Sequence, residues 1–492
     1  MISALRAHAA ARPEAVAFED GAETLGFAAF ARRAAGFADA ARDLPPTVGL
    51  LAGSSVAWAV ADVGLWQTGR TVVPLPPFFS DAQLRHVIAD AGVEAIVTDA
   101  SGIDRARSFG VPVANLHAGE AEPVEGDMTG RRIVYTSGST GQPKGVVLGP
   151  KQILNTAAAI VEAIGAGPSD RHLSVLPFSL LLEAVCGIYV PLLSGASCRI
   201  AAEVLTAPDT DIPRLLADAA AEAEPTTTVL VPQLLQAWTA AAAHGCLVPG
   251  SLRFVAVGGA AVPSALAERA WGLGIPVHEG YGLTECGSVV CVNLPGGRKA
   301  GTAGKPLPGY RVQTAADGEI VVFSDSVTDG YCGADPLPEQ QGWKTGDIGS
   351  FDADGYLRVQ GRKDNLIVTA NGRNVSPEWI ETMIGADPRI GRAIVMPDAS
   401  GTLAVLIEPS PAGEAFFTSA DNRDREALVT LLCDEAPAYA VPHRVSVAVP
   451  GALAAAGLLT PNGRPRRPQI AERYAASGVE SLPKEELKHA IL

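Results

Sequence analysis

The sequence predicts an α/β fold: a large N-terminal domain of doubly wound βα subdomains with a β-rich subdomain, followed by a small α+β C-terminal domain. Three observations support this class. Short apolar segments alternate with longer helical patterns as far as Val257, as in strand-helix-strand units. Glycine-punctuated hairpin patterns follow from Gly301. Beyond Asp364, short strand and helix patterns are mixed over about 130 residues, a typical domain size.

The N-terminal elements are expected in strict alternation. Strands are predicted at 16–19, 48–52, 71–75, 95–98 and 132–136, and helices at 27–43, 58–68 and 81–91. After residue 145 the rhythm returns, with helices near 151–163 and 181–193 and strands near 172–176, 227–231 and 253–257. Such alternation indicates parallel or mixed sheets with helices on both faces.

The C-terminal domain is expected to begin at Asp364, so that residues 1–363 and 364–492 form two domains. Ser376 is a suitable N-cap and Pro377 occupies the first helical position after it. Strands are predicted at 392–397, 403–408 and 444–449, with a helix at 425–435.

Composition narrows the function classes. The 492 residues carry a net charge of −15, which opposes non-specific binding to nucleic acid or anionic membrane. No apolar run reaches the roughly 18 residues of a membrane span, and the N-terminus lacks the apolar core of a signal peptide. The seven cysteines include no C-x-x-C pair. A cytoplasmic location is expected, and the oligomeric state, monomer or dimer, stays open.

A hydroxyl-rich loop, YTSGSTGQPKG at 135–145, is the first candidate site. It is not a Walker loop, because Pro143 replaces the glycine before Lys144 and Gly145 replaces the magnesium-binding hydroxyl residue. Strand-like residues on both sides predict a long turn between two strands. The turn presents hydroxyl and glycine residues and then Lys144, an arrangement suited to an anion: Thr136, Ser137, Gly138, Ser139, Thr140 and Gly141. A glycine-serine hairpin without function is the alternative.

Three further motifs occur downstream in order: GYGLTE at 280–285, GWKTGD at 342–347 and GRKDN at 361–365. Together with the 135–145 loop they resemble the adenylate-forming superfamily of acyl-CoA synthetases, luciferases and peptide-synthetase adenylation domains. The resemblance runs from about residue 5 to residue 470. It implies that an acid oxygen attacks the α-phosphorus of ATP, releasing pyrophosphate and leaving a mixed anhydride with AMP.

The resemblance also implies roles for individual residues. The 136–144 loop with Lys144 would close on the β- and γ-phosphates, Thr284 would contact a phosphate, and Glu285 would hold Mg²⁺, for which a carboxylate is a suitable ligand. Nucleotide contacts are further implied for Gly258, Gly259, Ala260, Gly280 and Gly282.

The nucleoside is assigned to three residues by the same resemblance. Tyr281 would stack on adenine, Asp347 would accept both ribose hydroxyls, and Arg362 would help to hold the ribose. The alternatives are that Asp347 closes a turn and that Tyr281 fills the core.

A mobile C-terminal domain is implied as well, with Asp364 as its hinge and Gly372 lining a pantetheine tunnel for CoA. An ordinary hairpin glycine is the alternative at Gly372.

Three positions near the reacting acid depart from the family pattern. Arg464 stands where a catalytic lysine is usual, and Leu180 and Pro150 stand where histidines are common. Arginine keeps the charge but presents a planar fork. The expected acid pocket is small and apolar, suited to an uncharged aryl or aliphatic group, and is lined by Leu180, Leu181, Ala184, Val257, Gly259 and Gly282.

These observations favour an AMP-forming carboxylate:CoA ligase that uses ATP and Mg²⁺, with CoA as co-substrate and Thr284, Glu285, Arg464 and Lys144 as catalytic residues. No carrier-protein sequence is recognised after residue 470, so an amine or a separate carrier protein are other possible acceptors. Two alternatives stay open. One is an ATP-dependent diazotase that activates nitrite, gripped by Arg464, for transfer to an aryl amine. The other is a non-catalytic nucleotide-binding regulator.

Overall fold

The computed structural model describes residues 1–123, 128–136, 143–208, 210–334, 342–369, 373–398, 402–434, 436–459 and 465–475. The strands are β1 (Val16–Glu19), β2 (Thr24–Gly26), β3 (Thr47–Leu51), β4 (Thr71–Pro74), β5 (Ala95–Thr98), β6 (Val113–Asn115), β7 (Arg132–Thr136), β8 (Lys144–Leu148), β9 (Arg171–Ser174), β10 (Ser197–Ile200), β11 (Thr227–Leu230), β12 (Phe254–Val257), β13 (Val277–Tyr281), β14 (Cys291–Val292), β15 (Lys305–Pro306), β16 (Arg311–Thr314), β17 (Glu319–Phe323), β18 (Gly330–Tyr331), β19 (Trp343–Phe351), β20 (Leu357–Arg362), β21 (Ile367–Val368), β22 (Asn374–Val375), β23 (Ile390–Pro397), β24 (Leu403–Pro409) and β25 (Arg444–Val447).

The α-helices are α1 (Ile2–Ala11), α2 (Phe27–Ala40), α3 (Val56–Gln67), α4 (Asp81–Asp90), α5 (Ile103–Arg107), α6 (Pro150–Ile164), α7 (Leu181–Glu183), α8 (Val190–Ser194), α9 (Ala202–Leu205), α10 (Ile212–Ala223), α11 (Pro232–Ala243), α12 (Ser264–Gly272), α13 (Pro377–Ile384), α14 (Glu414–Ser419), α15 (Asn422–Leu432), α16 (Ala452–Ala455) and α17 (Arg467–Ala475). Short 3₁₀ turns lie at Ala41–Asp43, Thr284–Cys286, Lys363–Asn365 and Ala438–Ala440, and a π-helical segment lies at Ala184–Tyr189.

Two mixed sheets dominate the N-terminal part. The first has the order β15-β14-β13-β12-β11-β9-β10-β1-β2, and its strands from β13 to β1 are parallel. The second has the order β18-β8-β7-β4-β3-β5-β6, with β7 antiparallel to β8 and parallel to β4. The two strands predicted on either side of the 135–145 loop are present, because β7 and β8 pair in register from Arg132↔Leu148 to Thr136↔Lys144.

The remaining sheets are smaller. An antiparallel sheet β16-β17-β19-β20 forms the predicted β-rich region. After the β21-β22 ribbon, β23, β24 and β25 form a three-stranded sheet with α13 and α15 packed beside it. Ser376 caps α13 by accepting from the Trp379 N–H, with Pro377 following it, as predicted. The α/β class with a β-rich region and an α+β C-terminal region is confirmed.

One predicted helix is irregular. The span expected at 181–193 is helical throughout, but residues Ala184–Tyr189 form a π-helical segment. Pro191 lies two residues after the end of the π-helical segment. A proline has no N–H to donate to the carbonyl four residues earlier in an α-helix, and its ring clashes with that carbonyl. The wider π spacing accommodates this misfit, which the apolar periodicity alone did not indicate.

A single apolar cluster joins the two large sheets. It includes Phe18 of β1, Val48 of β3, Val134 of β7 and Cys198 of β10, together with most of α3. Helix α3 (VAWAVADVGLWQ) is apolar on all sides apart from Asp62, and Val56 to Trp66 are all buried. A helix with this composition is stable only when it is enclosed by other elements.

Within this cluster lies a buried ion pair between Asp62 of α3 and Arg132 of β7, both fully inaccessible to solvent. The hydroxyl of Tyr189 donates to the other oxygen of Asp62 at 2.5 Å. The Arg132 guanidinium also lies 5.4 Å from the ring centroid of Trp66 and 5.7 Å from that of Tyr189, within cation–π range. Three elements, α3, β7 and the π-helical segment, therefore meet at one charge.

We expect Asp62→Ala to lower the free energy of unfolding by about 3–5 kcal/mol, because it leaves the Arg132 cation buried without its counter-ion. Guanidinium chloride unfolding, followed by tryptophan fluorescence, measures this change. Asp218→Ala is the control, because Asp218 pairs with Arg214 on the exposed face of α10 and exposed pairs contribute little. Equal effects of the two variants would contradict the central role of the buried pair.

Candidate nucleotide site

The candidate site lies where the parallel strands β11, β12 and β13 end. Gly258 and Gly259 follow β12, and the Gly258 N–H donates to Leu230 O at 3.2 Å. A Cβ on Gly258 would meet only Gly280 O, at 3.6 Å, and Gly259 has φ of 84°. The backbone is thus uncovered by side chains here, at the carboxyl ends of parallel strands where α/β proteins bind ligands.

Tyr281, Asp347 and Arg362 meet beside this edge. The Tyr281 hydroxyl donates to Asp347 Oδ2 at 2.7 Å, and Arg362 Nη1 donates to Asp347 Oδ1 at 3.1 Å. Asp347 and Arg362 are paired residues of β19 and β20. The structure therefore brings together the three residues that the sequence assigned to the nucleoside.

Burial perturbs the titration of this cluster. It raises the pKa of Asp347, although the hydrogen bonds from Tyr281 and Arg362 act in the opposite direction. Burial and the neighbouring Asp347 carboxylate also raise the pKa of Tyr281, so the phenol remains the proton donor of the pair. Asp347 retains free lone pairs on both oxygens for further donors, because each carboxylate oxygen accepts more than one hydrogen bond.

Glu285 lies in the 3₁₀ turn Thr284–Cys286 and contacts a residue that the sequence did not single out. The hydroxyl of Tyr331 donates to Glu285 Oε1 at 2.8 Å. Lys144 Nζ lies 5.7 Å from the centroid of the Tyr331 ring. Tyr331 reaches both residues because β18 pairs with β8, with Tyr331 opposite Val146.

The turn that carries Thr284 and Glu285 requires glycine at its start. A Cβ on Gly282 would collide with the carbonyl oxygen of Ser288. Ser288 itself has φ of 97°, which is rare for a residue with a side chain. The turn is therefore held in a strained conformation, as is common at functional sites.

Comparison with known proteins identifies the family. Residues 5–332 match the AMP-binding enzyme family, and residues 364–481 match the AMP-binding enzyme C-terminal domain. The chain belongs to the AMP-binding enzymes. The superfamily named from the sequence motifs is thereby confirmed.

Individual relatives of this AMP-binding enzyme are distant in sequence. A long-chain-fatty-acid–CoA ligase, FadD15 of Mycobacterium bovis, is 26% identical and covers 86% of each chain. A feruloyl-CoA synthase of Amycolatopsis sp is 29% identical, over 88% of this chain and 92% of the relative.

Solved structures agree in fold. The anthranilate CoA ligase AuaEII in complex with anthranoyl-AMP has a TM-score of 0.79 at 20% identity, covering 91% of this chain and 92% of the other. The O-succinylbenzoate Coenzyme A synthetase MenE of Bacillus subtilis, in complex with AMP, has a TM-score of 0.78 at 23% identity, covering 95% and 97%. At these identities the likeness establishes the fold.

Several predicted site residues fall outside the described ranges. They are Ser137, Gly138, Ser139, Thr140, Gly141, Gly372 and Arg464. Thr136 and Lys144, which flank the loop, are the last paired residues of β7 and β8. The predicted hinge residue Asp364 lies in the 3₁₀ turn Lys363–Asn365, between β20 and β21.

Residues predicted to line the acid pocket contribute to two apolar clusters. Leu181 and Ala184 belong to the cluster that joins the two sheets, whereas Val257 is buried in a second cluster beneath β11 to β13. Leu180 is 36% exposed. A buried carboxylate, Glu183, lies beside Ala184 with Oε1 3.4 Å from His172 Nε2, a polar feature that the apolar reading of this segment missed.

Described residues of this AMP-binding enzyme include no helix with both the length and the hydropathy needed to cross a bilayer. The same residues include no group of three or more His, Cys, Asp or Glu side chains placed to hold a metal ion. Mg²⁺ does not require such a cage, because it is commonly bound by one or two carboxylates together with substrate phosphates and water.

Glu279, two residues before Tyr281 in β13, is a buried acid that the motifs did not indicate. Burial raises its pKa to about 8, although the backbone N–H groups of Thr302 and Gly301 act to lower it. The native state therefore binds a proton between about pH 4.5 and 8 that the unfolded state releases. Its contribution makes the native state less stable as the pH rises through that window.

We expect Glu279→Gln to remove this pH dependence, because the amide cannot ionise. Relative to wild type, the variant should gain about 2–5 kcal/mol in free energy of unfolding between pH 5 and pH 8. Denaturant unfolding at both values measures the difference. Glu268→Gln, on the exposed face of α12, is the control. A parallel pH response of Glu279→Gln and wild type would show that Glu279 is ionised throughout.

Proposed function

We propose that this AMP-binding enzyme is an AMP-forming carboxylate:CoA ligase. It activates an acid with ATP to an acyl-adenylate and pyrophosphate, and then passes the acyl group to CoA. The observation that carries the proposal is the Tyr281–Asp347–Arg362 cluster, whose hydrogen bonds lie at the open end of β13. The CoA ligase and CoA synthase names of the relatives support the choice of CoA.

The ribose fits the Asp347 carboxylate. Ribose hydroxyls are donors, and a carboxylate that already accepts from Tyr281 and Arg362 keeps lone pairs directed outward. Arg362 lies 45% exposed in its side chain whereas Asp347 is 13% exposed, so the acid is fixed and the guanidinium is available to a ligand. We assign Tyr281, Gly258, Gly259, Ala260, Gly280 and Gly282 to the surface that receives the base and sugar.

We assign the polyphosphate to the neighbourhood of Lys144, Tyr331 and Glu285, where Glu285 lies in the 3₁₀ turn Thr284–Cys286. Lys144 is exposed, and its ammonium group lies over the ring of Tyr331. The hydroxyl of Tyr331 is hydrogen-bonded to Glu285. A cation and a carboxylate that contact the same tyrosine suit phosphates together with a magnesium ion. Glu285 would hold Mg²⁺ and Thr284 would contact a phosphate. The ion would neutralise charge on the leaving pyrophosphate.

The proposal also includes the identity of the acyl acceptor and of the acid. CoA is favoured, while an amine or a separate carrier protein would use the same adenylate. The diazotase and the non-catalytic regulator receive no support from the relatives named above. Arg464, which suggested both, is outside the described residues, so its guanidinium remains a sequence feature alone.

We expect ATP-dependent pyrophosphate release with an aryl or fatty acid, followed by acyl-CoA formation only when CoA is present. A panel of fatty acids, aryl acids, and nitrite with an aryl amine, each with and without CoA, separates the functions. Release that requires nitrite would identify a diazotase. ATP binding without release under every condition would identify a regulator.

Asp347→Asn should weaken AMP binding about 10- to 100-fold, because a charge-assisted hydrogen bond to a ribose hydroxyl is lost. Isothermal calorimetry with AMP measures the affinity. The control is Asp354→Asn, in the exposed β19–β20 turn beside Lys299. If Asp347→Asn binds AMP as tightly as the control, the ribose lies elsewhere.

A further inference from the structure

The last turn of helix α4 contacts both strands that flank the 136–144 loop. His86 Nε2 lies 3.0 Å from the carbonyl oxygen of Pro143, immediately before β8. The hydroxyl of Tyr135 in β7 donates to Asp90 Oδ2 at 2.6 Å. His86 and Asp90 are four residues apart and so share one face of the helix.

These contacts are reinforced by the segment that includes Tyr331. The Cys332 N–H donates to Gly145 O at 2.7 Å, and the Cys332 thiol donates to Asp90 O at 3.4 Å. The ring of His86 also meets the ring of Tyr135 edge-on, with 6.4 Å between the centroids. One helix end thus connects β7, β8 and the strand that carries the Glu285 partner.

Helix α4 is a rigid support for these bonds. Ser80 and Gln83 form a reciprocal capping box at its first turn, which stabilises the helix start. Leu84, Val87 and Ile88 pack in a core that also contains Ile133 and Tyr135 of β7. The helix is therefore fixed to the sheet independently of the two polar contacts.

Open space lies beside these polar contacts. A cavity of about 320 Å³ lies between α4 and the start of β8, lined by His86, Asp90, Pro143, Lys144, Gly145, Tyr331 and Cys332. Across this cavity, the described contact between α4 and Pro143 is the hydrogen bond of His86. Hydrogen bonds therefore fix where Pro143, and with it Lys144, lies above the helix.

We propose that His86 and Asp90 are positioning residues that hold the Thr136–Lys144 end of the β7–β8 hairpin where the polyphosphate of ATP requires it. His86 acts through the Pro143 carbonyl, and Asp90 acts through the Tyr135 hydroxyl. Each anchored residue is adjacent in sequence to one member of the Thr136↔Lys144 pair. The inference rests on the proposed function for the role of Lys144. Small displacements at such a position are costly to catalysis.

The test compares nucleotides that do and do not reach the loop. His86→Leu and Tyr135→Phe should each weaken ATP binding about 5- to 20-fold, since each removes one hydrogen bond that fixes the hairpin. AMP binding, which uses the Asp347 side of the site, should change less than about twofold. His86→Gln should restore much of the ATP affinity, because its amide N–H can replace Nε2–H. Calorimetry with each nucleotide gives both values.

Matched controls separate positioning from general damage. Ala89→Gln, on the exposed side of the same turn of α4, should bind both nucleotides as wild type does. Equal losses of ATP and AMP affinity in His86→Leu would overturn the proposal, as would unchanged ATP affinity. So would His86→Gln behaving like His86→Leu.

The half-reactions give a second readout. In His86→Leu, pyrophosphate release should show a raised KM for ATP, while acyl-CoA formation from a supplied acyl-adenylate should proceed at the wild-type rate. A loss of both half-reactions would mean that the contacts serve the fold alone and would reject the positioning role. If the wild type itself makes no acyl-CoA, the proposed function fails, yet the ATP-to-AMP affinity ratio still decides the role of His86.

Discussion

The buried ion pair of Asp62 and Arg132 is the constraint on which the nucleotide side of the molecule depends. Arg132 is the first residue of β7, and its charge cannot reach water. Burial raises the pKa of Asp62, while Arg132 and the Tyr189 hydroxyl act to keep it ionised. Because an unpaired charge at this depth is very unfavourable, β7 has one permitted position relative to α3. That position is transmitted along the strand to Thr136.

The same cluster couples the two large sheets. Arg132 belongs to the sheet that ends in β18 and β8, whereas Tyr189 lies in the π-helical segment, which packs beside β9 of the other sheet. Stacking of Trp66 on Tyr189, at 5.2 Å between ring centroids, encloses the guanidinium. A buried ion pair gives little net stability compared with apolar packing of the same volume. The pair nevertheless joins residues of α3, β7 and the π-helical segment at one point.

The local part of this architecture could be predicted from the sequence. The strands at 16–19, 95–98 and 132–136 have the predicted bounds, because short apolar runs bounded by turns identify strands. Asp347 and Arg362 were assigned to the ribose from the family motifs GWKTGD and GRKDN, and the structure pairs them across β19 and β20. Two hydrogen bonds between residues far apart in sequence were not predicted. They join Tyr331 to Glu285 and His86 to Pro143. Periodicity says nothing about which strand or helix lies beside another, so no local signal identified them. Proximity in sequence was also a poor guide to side-chain direction. Val257 precedes the motif glycine Gly258, yet its side chain is buried in the cluster beneath β11 to β13.

The arrangement around Arg362 also bears on the proposed domain rotation at Asp364. Arg362 is held by its strand pairing with Asp347, and Lys363 is held by Asp317 and Glu319 at 2.7 and 2.9 Å. These partners all belong to the β-rich sheet or its turn, so both residues are attached to that sheet. Asn365, by contrast, donates to Glu378 of α13 at 2.5 Å. The partners thus change between residues 363 and 365, on either side of Asp364, the residue at which the family resemblance places a hinge. If the C-terminal domain turns at Asp364, as the family resemblance implies, Arg362 and a ribose bound to it stay with the β-rich sheet.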